Sequence, residues 1–363
     1  MWQSRLSRAL LHQPIRPFSS SATKIPLCWL DLRGAGLSVL ERLLLEECLL
    51  QTDTDRSWLI AGYHDPVRHR YIQHKPSADH NESAVIVMGI GGKVPELLHT
   101  DNVRQENVMT IKRFSGGGTV VMDHDAIWTT LIGRPQHFRQ VPAFPRPLME
   151  FTADHLFGPL FEKLQMANQQ KATLQDDTNI SSTNVVPEGQ QKTLVMDLKS
   201  CSATDNPNRV LTIPRPNAAP TPPPVDSSSF TFSLRENDYV LGERKMGGNA
   251  QSITGKGWLH HTSFLWDYNV DNMTNLLQLP KKQPDYRGQR THDDFLVSLS
   301  QVFPHLNKRD FCQLLKQVSG EQFDLVEEMT AGQALDIVRE NTGGGGLQAW
   351  WETKSRTRIV TDV

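Results

Sequence analysis

Residues 112–125 read KRFSGGGTVVMDHD. Three consecutive glycines, Gly116, Gly117 and Gly118, remove every Cβ from a turn, so its backbone can take positive φ and approach a ligand closely. Successive free N–H groups in such a turn form a concave nest for an anion or carboxylate. Lys112 and Arg113 place cationic donors just before it, and a guanidinium can bond two oxygens of a phosphate or carboxylate at once. Thr119 opens a short β-branched run that reads as a buried strand. By itself a glycine triplet is read first as a tight hairpin beside a solvated basic pair. The flanking residues complete neither G-x-x-x-x-G-K-[ST] nor G-x-G-x-x-G before a helix, and the β-branched run after the triplet favours strand–turn–strand.

Residues 107–111 lead as a strand into the triplet and 126–132 come after it as another, which places the triplet inside an antiparallel pairing. Upstream, the apolar run 83–90 reads as a buried strand. It ends at Gly89 and Gly91-Gly92-Lys93, a turn that either lines a cleft or connects strand to helix. Residues 25–32 and 58–61 also read as strands. Between them, 37–51 form an amphipathic helix with Leu37, Leu40, Leu44 and Cys48 on one stripe. Residues 145–164 are helical, with a break expected at Gly158-Pro159.

A second glycine-flanked stretch, DYVLGERKMGGNAQS, spans 238–252. Lys245 lies between Gly242 and the Gly247-Gly248 pair. There its ammonium can reach into a site as a compact charge for carboxylate or phosphate, although the stretch alone also fits a surface hairpin. His260 and His261 lie in a strand-like run, 258–268. Neighbouring strand residues point to opposite faces, so the two cannot line one pocket together. From Asn272 the chain reads as polar helices at 293–302, 308–318 and 329–341, the last with Thr330 as N-cap. Beyond Gly346 the chain packs or frays.

At 363 residues the chain can bury a large core. A net charge of −2 gives no global basic excess for nucleic acid or anionic membrane, and neither is expected as a partner. No apolar run approaches the roughly 18 residues that span a bilayer. The four cysteines, Cys28, Cys48, Cys201 and Cys312, form no CxxC pair, so neither a zinc site nor a disulfide framework is indicated. Residues 1–24 are Arg- and Ser-rich, acid-free and amphipathic, the pattern of a mitochondrial presequence with a plastid leader as alternative. Residues 166–230 are rich in Gln, Asn, Ser, Thr and Pro and read as a disordered insertion in a surface loop.

Together the two glycine-flanked stretches resemble the lipoate–protein ligase A family of the biotin/lipoate ligase superfamily, and in particular its eukaryotic branch. Lys112-Arg113-Phe114-Ser115-Gly116-Gly117-Gly118 matches that family's Arg-Arg-x-Ser-Gly-Gly-Gly loop. Gly242 through Ala250 matches its later lysine motif with one extra residue before Lys245, and His260-His261-Thr262-Ser263 matches its His-His-Gly-Thr strand. The resemblance implies an α/β fold, a mixed central sheet flanked by helices like the catalytic core of class II aminoacyl synthetases, spanning residues 25–275. Residues 276–363 form a C-terminal helical segment.

It also implies a two-step reaction. Lipoate or octanoate and ATP, with Mg²⁺, give acyl-AMP. A lysine of an apo lipoyl domain, in 2-oxoacid dehydrogenase complexes or the glycine cleavage H protein, then takes the acyl group as an amide. By that resemblance Lys245 is the catalytic residue. Arg113, Ser115, Gly116, Gly117, Gly118, Thr119, Gly89, Asn249 and Ala250 line the acyl-adenylate and ATP site. The chain carries Ile90-Gly91-Gly92-Lys93 where bacterial ligases have Arg-x-Gln, which bears on the nucleotide contacts. An ATP-independent transferase between carrier proteins and a non-catalytic binding protein on the same scaffold are the alternatives.

Overall fold

The structure is a computed structural model that describes residues 24–64, 69–73, 81–123, 125–181, 230–279, 283–361 and 363. The leader before Lys24 and most of the 166–230 insertion, with Cys201, lie outside the described residues.

The chain opens with β1 (Pro26–Asp31), α1 (Val39–Thr52), β2 (Trp58–Tyr63), β3 (Asn81–Met88), α2 (Val94–Leu97), α3 (Thr100–Gln105), β4 (Val108–Lys112), β5 (Val120–Asp123) and β6 (Ala126–Gly133). Then come α4 (Pro145–Thr152), α5 (Gly158–Ser181), β7 (Phe232–Arg235), β8 (Asp238–Leu241), β9 (Arg244–Thr254) and β10 (Gly257–Leu265). The last third holds α6 (Val270–Leu276), α7 (His292–Phe295), α8 (Leu299–Val302), α9 (Lys308–Gln322), β11 (Asp324–Thr330), α10 (Ala331–Asn341), α11 (Gly346–Thr353) and β12 (Arg358–Ile359).

Eight strands form one mixed sheet in the order β11-β1-β2-β6-β10-β9-β8-β7. β1 runs parallel to both neighbours, and the other pairings are antiparallel. Side chains alternate across it, as a pleated strand requires. Leu27 and Trp29 of β1 join a core with α4, α5 and α9, whereas Cys28 and Leu30 join a second core with α1, α10 and a smaller sheet. The smaller sheet has the order β12-β4-β3-β5. This is the expected mixed sheet between helices.

Helix α1 starts at a capping box: Ser38 Oγ accepts from Glu41 N, and Glu41 Oε2 accepts from Ser38 N. At its other end the fully buried Arg134 guanidinium donates to the Leu49 and Leu50 carbonyls. Leu37, Leu40, Leu44 and Cys48 are buried as their spacing requires. The expected wet face is buried too. Glu47 accepts from Ser355 Oγ and from the backbone N–H groups of Arg356 and Thr357, so the C-terminal residues lie over it.

Four expectations give way. The glycine triplet is not a hairpin: β4 and β5 flank β3 on opposite edges, one parallel and one antiparallel, so the triplet crosses the end of β3. The C-terminal segment is not purely helical. β11 extends the large sheet and β12 the small one, and the largely exposed edge strand β11 carries too few apolar residues for periodicity to show it. Gly158-Pro159 does not end the helix. Residues Ala153–Phe157 form a π-helical turn and Gly158 N bonds to Ala153 O, which seats a proline without an N–H in a continuing helix. That helix runs past Met166 to Ser181, so the first part of the expected insertion is ordered.

Candidate functional site

The glycine loop is built by its own backbone. Arg113 N donates to Met88 O, Ile90 N to Ser115 O, and Gly116 N to Gln251 O, which ties the loop to the end of β3 and to β9. Beneath it lies Arg113, 4% exposed. Its guanidinium donates to Ser115 Oγ and to the carbonyls of Val87, Gly116 and Gly118 at 2.6–3.2 Å. Burial pushes its pKa down to about 10, so it stays cationic at neutral pH. The motif assigns Arg113 to a ligand oxygen. These bonds make Arg113 the strut that shapes the loop, and its side chain also borders a cavity beside it. Ser115 is likewise buried, whereas Gly117 and Gly118 are exposed. Gly89 supports the loop from the end of β3, where a Cβ would lie 2.2 Å from Gly117 O. Gly117 itself has φ +96°.

Lys245 projects from β9 beside a one-residue bulge at which the β8–β9 register slips. Its Nζ lies 2.8 Å from Asp238 Oδ1, and Tyr286 OH donates to Asp238 Oδ2 at 2.9 Å. Burial and the Asp238 carboxylate push the Tyr286 phenol up, so it remains a donor. Asn249 donates to Asn237 O and accepts from Thr262 Oγ1, which fixes its amide. Ala250 is buried against Gly117.

Two cavities meet here. One of about 520 Å³ passes under the glycine loop to Trp128 and His261. The other, about 580 Å³, is lined by Met273, Leu277, Phe295 and Leu296 and by the Gly91-Gly92-Lys93 turn. Lys245, Gly117, Gly118 and Thr119 border both. Thr119 Oγ1 is buried there without a hydrogen-bond partner. Lys245 offers a cation where the two cavities join.

The paired histidines divide as alternation demands. His261 Nε2 lies 2.6 Å from Glu46 Oε2 of α1, and its ring meets the edges of Phe114 and Trp128. His260 faces the other side, close to Thr152, Tyr239 and Gln251. Burial would raise the Glu46 pKa, but His261 and Arg42 outweigh it and hold the carboxylate below its ordinary range. The thiols of Cys28, Cys48 and Cys312 are buried and pushed up by that burial to about 12, 11 and 12, which makes each a poor nucleophile. Among the described residues no group of three or more His, Cys, Asp or Glu could hold a metal ion.

Asp238, Tyr286 and Glu46 escape a reading of the sequence alone. Asp238 opens the quoted second stretch, but its pairing with Lys245 arises only when β8 and β9 fold onto each other. Glu46 sits where the helix pattern placed solvent.

The sheet, the glycine loop and the lysine between two cavities define a catalytic domain of the biotin/lipoate ligase type. The chain belongs to the family of the lipoyl protein ligase A/B catalytic domain, whose model matches residues 79–157 and 217–319. It is similar to inactive lipoate–protein ligase 2 of Plasmodium falciparum, 24% identical over 280 residues, covering 72% of this chain and 60% of that protein. The chain thus spans about 60% of the length of that curated relative. Among solved structures it resembles the bipartite lipoate protein ligase of a lipoylation system from the archaeon Thermoplasma acidophilum, with a TM-score of 0.51 at 13% identity, covering 90% of this chain and 98% of that one. A lipoate–protein ligase A bound with ATP gives 0.46 at 14% identity, covering 88% of this chain and 94% of that one.

Proposed function

We propose that this chain is a lipoate–protein ligase, which activates lipoate or octanoate with ATP and joins the acyl group to a lysine of an apo lipoyl domain. The observation that carries this reading is the place of Lys245, a cation at the meeting point of an acyl-sized cavity and a second, larger one. In the first half-reaction the acid's carboxylate attacks the α-phosphate and pyrophosphate leaves. In the second the carrier amine attacks the acyl carbonyl, loses a proton and expels AMP. Lys245 stabilises the charge that develops on the anhydride oxygens, and the exposed Gly117–Gly118 backbone covers the acyl arm. With no cluster of ligating side chains in the described residues, Mg²⁺ would arrive on the nucleotide phosphates.

The acceptors in this reading are lipoyl domains of 2-oxoacid dehydrogenase complexes and the glycine cleavage H protein, and in it the Arg- and Ser-rich leader directs the chain to mitochondria, with the plastid as alternative. The archaeal structure it resembles was described together with an E2 lipoyl domain.

The Lys245–Asp238 pair favours a second reading. A lysine already neutralised by a carboxylate suits a neutral thioester or amide donor better than a phosphate, which Asp238 would repel. That is transfer between carriers without ATP.

Intact-mass analysis of an apo lipoyl domain separates the two. One tube holds the chain, lipoate, ATP and Mg²⁺; the other holds the chain and an octanoylated or lipoylated donor protein without ATP. An acyl-sized gain only in the first establishes the ligase, and a gain only in the second establishes the transferase. With folded protein and no gain in either, both readings fall and a binding role replaces them.

A further inference from the structure

The C-terminal residues carry a row of cations beside the glycine loop. Lys354 closes α11 in a turn, and side chains alternate from Ser355 to Arg358. Ser355 and Thr357 point inward, to Glu47 and to the backbone N–H of Phe114, the residue that enters the glycine loop. Arg356 and Arg358 therefore face solvent, and Lys354 at the end of α11 is exposed as well. Among the described residues no carboxylate pairs with them. Arg358 stands directly opposite Lys112 in the β12–β4 ladder. Like charges set opposite each other across a ladder are destabilising. A shallow groove of about 390 Å³ is lined by Lys112, Arg358 and Lys93. It shares Gly92 and Lys93 with the rim of the second cavity, so the cationic row leads to the mouth of the site. Ile90 and Ile253, each 41% exposed, add apolar side chains on two segments bonded to the glycine loop.

We propose that Lys354, Arg356, Arg358 and Lys112 form the docking surface for an acidic protein, the carrier domain whose lysine enters the site. This rests on the acyl-transfer reading. An acidic carrier face laid on the row would relieve the Arg358–Lys112 repulsion and bring its lysine to the mouth beside Gly92. Rim charges of this kind act on encounter rate and salt dependence more than on the chemical step.

The test uses the full chain and a fluorescently labelled apo lipoyl domain. Affinity is read by anisotropy from about 50 mM to about 500 mM salt, a range over which exposed charges become screened. In the triple variant Lys354→Glu, Arg356→Glu, Arg358→Glu, binding at low salt weakens about tenfold or more. Its salt dependence flattens or reverses, and the carrier KM rises while kcat at saturating carrier stays within about twofold. The charge-preserving triple Lys354→Arg, Arg356→Lys, Arg358→Lys binds as the wild type does, which separates charge from folding. Equal affinity of the charge-reversed and wild-type proteins overturns the proposal, as does salt-insensitive wild-type binding or no binding at all. Charge-dependent binding without transfer to any acceptor overturns the transfer reading and leaves the docking surface standing. Transfer with the same carrier KM in both proteins does the reverse.

Discussion

Lys245 Nζ and Asp238 Oδ1 are 2.8 Å apart, and the other Asp238 oxygen is taken by the Tyr286 hydroxyl. The lysine is thereby held at one point of the cavity junction rather than sweeping through solvent on a flexible stem.

Lys245→Ala removes that charge. Losing a preorganised stabiliser of developing charge costs on the order of 10²- to 10³-fold in kcat. The side chain is 28% exposed and its backbone bond to Val297 N is independent of it, so the fold should persist. The expected result is acyl transfer reduced at least about a hundredfold with a thermal midpoint close to wild type. Full activity in a folded Lys245→Ala protein would remove Lys245 from the site.

Three glycines of the loop region should respond differently to one added methyl. At Gly89 the Cβ meets the Gly117 carbonyl at 2.2 Å, and at Gly117 it meets Asn249 O and Arg113 Nη2, both at 2.8 Å, with φ at +96°. Backbone cannot yield as a long side chain does, so Gly89→Ala and Gly117→Ala should displace the loop and cut transfer about tenfold or more, by the strain such positions store. Nothing lies within 4 Å of a Cβ at Gly118, and Gly118→Ala should stay within about twofold of wild type. Initial rates for the three variants decide this, and equal losses at all three would show that the loop is not set by these contacts.

These contrasts also show where sequence reading ends. Glycine spacing marks Gly89 and 116–118 as special, and alternation correctly sends His260 and His261 to opposite faces. What spacing does not contain is the partner. The carbonyls that Arg113 braces come from β3 and from the loop itself, and no motif names them. Glu46 looks solvated until His261 arrives from β10, more than two hundred residues along the chain. β11 is legible only as the partner of β1, because an edge strand with one exposed side has no apolar period of its own.

The buried histidine predicts an acid-labile fold. Gln251 Nε2 donates to His260 Nδ1, which leaves the ring proton on Nε2 among Thr152, Tyr239 and Thr262. Burial, reinforced by His261, lowers its pKa from 6.5 to about 3. Between those values the unfolded chain binds a proton that the folded chain does not. The His260 contribution is therefore complete above pH 6.5 and is lost as pH drops toward 3, with a slope near 1.4 kcal/mol per pH unit for its one proton. His261, whose pKa burial also lowers, contributes a loss in the same direction. Glu46, held below its ordinary range, adds a loss in the same direction at pH below about 4.5. Urea unfolding from pH 7 to pH 4 measures the slope, and His260→Gln should flatten it between pH 6.5 and pH 5. An unchanged slope in that variant would place the proton uptake elsewhere.

Glu46→Ala tests the buried network behind the acyl-sized cavity. Glu46 Oε1 accepts from Arg42 Nε at 3.0 Å and from Thr130 Oγ1 at 2.9 Å, while Oε2 meets His261. Its side chain is 0% exposed. Removing one member of a buried charged set leaves the others desolvated without compensation, a cost of about 3–5 kcal/mol. Glu46→Gln keeps the volume and one acceptor and should cost less. The expected order in urea midpoint is wild type, Glu46→Gln, Glu46→Ala. Arg42 retains Trp128 O and the Trp128 ring, so the residual strain falls on His261, whose edge contacts with Phe114 and Trp128 wall the cavity. Glu46→Gln should therefore also weaken lipoate binding, read by calorimetry on folded protein. If it lowered the midpoint and left that affinity untouched, the network would be purely structural and the acyl cavity would end short of His261.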